Sequence, residues 1–179
     1  MPISVNQLER GSSTIDRNLP VLRMAVKVTK HMLREENAPT PVEVYYDKGF
    51  KTYHQMRGSG PNARHSIKYG SQNFDSAKSS LIYIVSNGQV YKVNSKDYDR
   101  EIHHVALIIE ETAHYFQSIE EGGYIYGSIH NAMYIKHFRI LWDKYSDYVM
   151  DEVRAALNLR PIGVRLRERM EKEAKEELG

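Results

Sequence analysis

The chain has 179 residues, with 41% hydrophobic and 10% aromatic residues, no cysteine and a formal net charge of +2. That length predicts one domain with a core of its own, and the missing cysteine removes a disulfide scaffold, a thiol nucleophile and a Cys-ligated zinc site. Met1 to Asp16 shows no apolar stretch of the secretory kind, and no run approaches the roughly 18 apolar residues of a spanning helix, so an intracellular, cytoplasmic protein with no membrane partner is expected.

Residues 1–17 are polar and predict a flexible N-terminal arm. Asn18-Leu19-Pro20 reads as a helix start, with Asn as cap and Pro in the first turn. Val21, Met24, Ala25, Val28 and Met32 recur at helical spacing, and the helix should stop near Glu36, ahead of Pro39 and Pro41. Val42 to Tyr46 predicts a strand, Lys48 to Pro61 an irregular glycine-bearing segment, and Arg64 to Tyr69 a second strand. Leu81 to Val85, the Asn87-Gly88 turn and Gln89 to Val93 predict a hairpin. Ser95 is the expected cap of a central helix that ends at Gly122-Gly123. A second long helix is expected from His130 to Leu157, with Tyr134, Phe138, Trp142 and Tyr145 as a packed aromatic stripe. The domain should span 18–158, followed at 159–179 by a charged helical tail with Glu168–Lys172 and Glu171–Lys175 pairs.

Between Lys48 and Ser80 six cations stand against one acid, Asp75. Lys48, Lys51, Arg57, Arg64 and Lys68, interleaved with aromatic residues, suit contact with nucleic acid. Cations that guard a strand edge explain the same run without a ligand.

The chemistry lies in Glu110-Glu111-Thr112-Ala113-His114, one residue away from the H-E-x-x-H zinc-protease turn. On a helical wheel, Ile102, Val105, Ala106, Ile109, Ala113 and Phe116 form a core stripe, while His103, Glu110 and His114 fall on a line at its edge. Leu107 and Ile108 put apolar groups on the remaining side, so the helix should be buried nearly all round. Two adjacent buried carboxylates beside a histidine need a cation, a set of salt bridges or an opening to water. A divalent metal, zinc or another, supplies the first; Lys136 or Arg139 of the next helix are candidates for the second. A metal site needs a further ligand from another element, and His130 is the candidate, against a plain hydrogen-bonding role at a helix start. His103 lies two turns before Glu110, too far to be a ligand, and fits a supporting role or a helix surface. Glu101-x-x-His104 repeats the E-x-x-H spacing, but a dimetal carboxylate site draws on several helices, which disfavours it.

The order of helix, strands, Glu110-Glu111-x-x-His114, glycine turn and His130-x-x-x-Tyr134 resembles the SprT-like and related small zincin metallopeptidases over about residues 19–157. The resemblance implies an α+β zincin-like fold: an N-terminal helix, a small mostly antiparallel sheet, a buried motif helix and a long aromatic helix. It implies His114 and His130 as metal ligands and Glu111 as general base, with Tyr134 behind the ligands. Glu110 stands where that family has its first histidine, and Asn131 where glycine is common. The implied activity is hydrolysis of a protein or peptide by a metal-activated water. SprT-like members act on proteins crosslinked to DNA, which would give the basic 48–80 segment a purpose. A catalytically inactive binding protein on the same fold is the alternative.

Overall fold

The computed structural model describes residues 5–58, 62–74, 80–123 and 129–158, with side chains from residue 18 onward. The described residues are α+β, with three long helices, a three-stranded sheet and a separate hairpin among them. Helix α1 spans Val5–Glu35, strands β1 to β3 span Val42–Asp47, Tyr53–Arg57 and Arg64–Gly70, and β4 and β5 span Leu81–Ser86 and Gln89–Asn94. Helix α2 spans Arg100–Glu120 and α3 spans Ala132–Ala156.

The first helix departs from the sequence expectation. It starts at Val5 rather than Asn18, so the polar 1–17 stretch is helical from Val5 onward, and Pro20 lies inside the helix, where it removes one backbone donor. Asn18 is fully buried and serves tertiary contacts: its amide donates to the Ser71 carbonyl at 3.3 Å and accepts from Arg100 at 3.4 Å. Its side chain therefore ties α1 to the start of α2. The predicted tail at 159–179 lies outside the described residues.

The sheet order is β1-β3-β2. β1 pairs with β3 in parallel and β2 pairs with β3 antiparallel, so the three-stranded sheet is mixed; with the antiparallel hairpin β4–β5, which stands apart from it, the pairing is mostly antiparallel as expected. β2 replaces part of the expected irregular segment. Its sequence, Tyr-His-Gln-Met-Arg, lacks an apolar alternation, and its extended form comes from pairing with β3. In the hairpin, Asn87 and Gly88 both take positive φ, 52° and 75°, as a tight two-residue turn requires.

The core lies between α1, the β3 face and the α2–α3 pair. Leu22, Val28 and Met32 of α1 share one buried cluster with Ile67 and Tyr69 of β3, Val105, Ile108 and Ile109 of α2, and Phe138 and Val149 of α3. Polar ties orient these layers. Thr29 Oγ1 donates to the Ala25 carbonyl at 2.7 Å, which leaves the Tyr69 hydroxyl to donate to Thr29 at 2.6 Å. The buried Tyr115 hydroxyl donates to the Thr40 carbonyl at 3.0 Å and receives the Thr40 N–H at 3.2 Å, holding the entry to β1 against α2.

Gly70 ends β3 where the chain crosses the Gly49–Lys51 loop. A Cβ there would lie 2.5 Å from the Gly49 carbonyl oxygen and 2.9 Å from that of Lys51, both backbone atoms. Gly70→Ala is expected to lower stability by about 1–3 kcal/mol through this overpacking, read as a lower denaturation midpoint. An unchanged midpoint would show that the loop yields freely.

Candidate metal centre

A short 3-10 turn, Ser95–Asp97, precedes α2 and is capped by the Asn94 side chain, so Ser95 is not the helix cap; α2 begins at Arg100 after Asp99. Thirteen of its 21 residues are buried, the all-round burial its composition predicts. At its end Gly122 N–H bonds to the Ile119 carbonyl at 3.3 Å and Gly123 N–H to that of Ser118 at 2.9 Å, with both glycines at positive φ. This double bond pattern stops the helix and turns the chain back toward α3. α3 starts at Ala132, two residues later than expected: the Asn131 side chain accepts the Tyr134 N–H, and His130 sits just ahead of that cap.

Glu110, His114 and His130 come together, each offering a donor atom within 4.8 Å of the other two. Glu110 Oε1 lies 3.1 Å from His130 Nε2 and 3.7 Å from His114 Nε2. Ligands around a tetrahedral zinc stand about 3.3 Å apart, so these side chains need little movement to share one ion. Two histidines and a glutamate are an established catalytic zinc set, with a fourth position open for water.

The other nitrogen of His114 shows what the site requires. Its Nδ1 lies 2.8 Å from Gln117 Oε1. Gln117 Nε2 donates both its hydrogens, to the Ile129 carbonyl at 2.8 Å and to Asn131 Oδ1 at 2.9 Å. Its oxygen therefore faces His114, and Nδ1 must carry the proton. A neutral His114 then aims the Nε2 lone pair at a carboxylate oxygen, an arrangement that calls for a positive charge between them. A proton on Nε2 or a metal ion supplies it. Burial works against the charge on Glu110, but the His114 and His130 imidazoles more than offset it and hold its carboxyl below the usual range. For His114, burial acts to lower the pKa, but Glu110 and then Glu111 and Gln117 raise it on balance.

Glu111 is buried on the sheet side of the helix. Burial lifts its carboxyl to about 8; the Glu110 charge adds to this, and His114 and the His54 backbone N–H offset part of it. Among the described residues no lysine or arginine bridges Glu110 or Glu111; Lys136 pairs instead with Glu120, at 2.7 Å, and His137 contacts the other oxygen of the same carboxylate. The salt-bridge solution with Lys136 or Arg139 is therefore not the one adopted.

Tyr134 stacks on His114, with ring centroids 4.5 Å apart, and meets His130 edge-on at 4.9 Å. It is fully buried and its hydroxyl has no hydrogen-bond partner. Tyr83 of β4 completes the enclosure, 4.8 Å from His130 and 5.2 Å from Tyr134 between ring centroids. Burial, and then the Glu110 charge, raise its pKa. His103 does not support the ligands; its Nε2 lies 2.7 Å from the Asn73 carbonyl and pins the turn after β3.

Sequence reading missed Tyr83, Gln117 and Asn131 as site residues. Gln117 had a signal, since a side chain three residues after His114 lies beside it on the helix face. Tyr83 had none, because only the placement of the hairpin brings it to His130.

The basic residues divide. Lys68 is buried, paired with Asp47 at 3.0 Å and set over the Tyr53 ring at 4.7 Å, so its charge is already engaged. Arg57 and Arg64 are exposed cross-strand neighbours at one end of the sheet, while Lys48 and Lys51 lie at the other. No helix among the described residues is long and apolar enough to cross a membrane. The chain matches no protein-family model, no curated protein and no solved structure.

Proposed function

We propose that the chain is a zincin-like metallohydrolase that cleaves peptide bonds at the Glu110–His114–His130 site. The observation that supports this most directly is the opposition of Glu110 Oε1 to two imidazole Nε2 atoms within 4.8 Å, with the His114 proton held on the far nitrogen by Gln117. A divalent ion bound there, zinc or another, would polarise a substrate carbonyl and lower the pKa of a bound water. Glu111, one residue along the same helix, is the group that accepts a proton during attack and returns it to the leaving amine. Without metal its pKa is raised to about 8; a cation at the site would favour the carboxylate and bring it into the range where it can both take and return a proton near neutral pH. The Tyr83 and Tyr134 rings wall one side of the site against His114 and His130. β2, at the edge of its sheet among the described residues, gives an extended peptide a strand to pair with beside α2.

The test begins with metal content by mass spectrometry on untagged protein purified without chelator. About one ion per chain is expected in the wild type and none in His114→Ala, since a catalytic site has only three protein ligands to lose. A wild-type protein that takes up no metal after added zinc or manganese would remove the hydrolase reading. The non-catalytic alternative would then be tested on exposed Lys48, Lys51, Arg57 and Arg64, as a nucleic-acid affinity that falls steeply with salt.

A further inference from the structure

We propose that Gln117 is a positioning residue: one amide selects the Nδ1–H tautomer of His114 and docks the segment that carries His130. This rests on the metal reading of the same site and extends it to how two ligands on separate elements are held in register.

The geometry forms a chain of forced choices. The Tyr134 N–H, at the start of α3, bonds to Asn131 Oδ1 at 3.1 Å, which makes that atom an acceptor. Asn131 Nδ2 donates to Glu121 at 2.8 Å, the reciprocal end of the same amide. Gln117 approaches Asn131 Oδ1 and the Ile129 carbonyl together, so it must present its NH2 group to both. A reversed amide would set its oxygen against two acceptors. With the NH2 group so used, Gln117 Oε1 receives from His114 Nδ1, its one donor among the described residues, and the ring's remaining lone pair is aimed at the site. The cap of α3 thus determines which nitrogen of a ring on α2 is free to bind an ion. Ile129 and Asn131 flank His130 on both sides, so the two donations also hold the loop that brings His130 to Glu110. Gln117 is fully buried, and its exposure to competing water is nil.

The full chain carrying Gln117→Leu or Gln117→Glu is compared with the wild type. Zinc affinity is read by competition with a chromophoric chelator. The His114 tautomer is read in metal-free protein by long-range proton–nitrogen correlation, at alkaline pH where the ring is neutral. Gln117→Leu is expected to bind zinc about 10- to 100-fold more weakly, as loss of a hydrogen bond behind a ligand does, and to show a mixture of tautomers. Gln117→Glu keeps an acceptor for Nδ1 and is expected to retain the Nδ1–H tautomer while losing affinity through the released loop. Wild-type affinity and tautomer in Gln117→Leu would overturn the proposal. Should Gln117→Leu not fold, an Nε2–H tautomer in Gln117→Glu would overturn it instead. A wild-type protein that binds no zinc, with the tautomer still following residue 117, would defeat the metal reading and leave the positioning role standing.

Discussion

On the proposed metallohydrolase reading, Glu111→Gln is expected to reduce peptide hydrolysis by about 10²- to 10⁴-fold, the contribution of a positioned general base, and to stabilise the metal-free protein at the same time. The two effects have one cause. Glu111 is a buried carboxyl beside a second carboxylate, and burial lifts it from 4.5 to about 8. Between those values the folded protein holds a proton that the unfolded chain releases, so this contribution to stability is full at low pH and is lost as pH rises toward 8. Glutamine has no charge to bury. The variant should therefore gain on the wild type as pH rises through that window, reaching roughly 3–5 kcal/mol at its upper end. Denaturant titrations of both metal-free proteins across the window measure the gap. A gap that stays constant with pH would show that Glu111 does not carry the buried proton. Added zinc should narrow it in the wild type, because a cation at the site favours the ionised carboxylate.

His104→Leu is expected to stabilise the protein by about 1–3 kcal/mol at neutral pH, the desolvation cost of a buried polar group left without a partner. His104 is fully buried on α2, packed on Phe74 at 4.9 Å between ring centroids, and neither of its ring nitrogens has a hydrogen bond. Burial holds its pKa well below 6.5, with His103 and Arg100 adding to the effect. Below 6.5 the unfolded chain takes up a proton that the folded chain refuses, so this contribution to stability is complete above 6.5 and declines as pH falls. His54, lowered to about 3 by burial and by His65 and His114, acts with the same sign, as do His65 and His103. The wild type should lose stability on mild acidification, and His104→Leu should lose less. Thermal unfolding of both proteins at neutral and mildly acid pH tests this. Equal acid sensitivity would mean that His104 is hydrated in solution.

Much of the architecture was legible from side-chain periodicity. β1, β3 and the β4–β5 hairpin lie where alternation and the Asn87-Gly88 turn place them, and α2 and α3 follow their apolar spacing to within a few residues. Two elements were illegible for physical reasons. β2 has no apolar alternation of its own and exists because β3 supplies its backbone partners. α1 extends back to Val5 past the cap-and-proline signal at Asn18 and Pro20, and the Asn18 side chain, instead of capping, is recruited by Ser71 and Arg100 from distant parts of the chain. Propensity describes neighbours in sequence, and these contacts join residues more than fifty positions apart.

The sequence by itself determined the near-motif: carboxylates at 110 and 111, a histidine one turn on, and a glycine stop followed by His130. Helical geometry alone puts Glu110 and His114 on one face. Only the tertiary structure decided that His130 meets them, that Tyr83 encloses the site, and that Lys68 is spent on Asp47. It also decided the proton on His114, which depends on an amide whose orientation is set by the cap of another helix. A hydrogen-bond direction has no one-residue signature; it is determined when every donor and acceptor around it has been given a place.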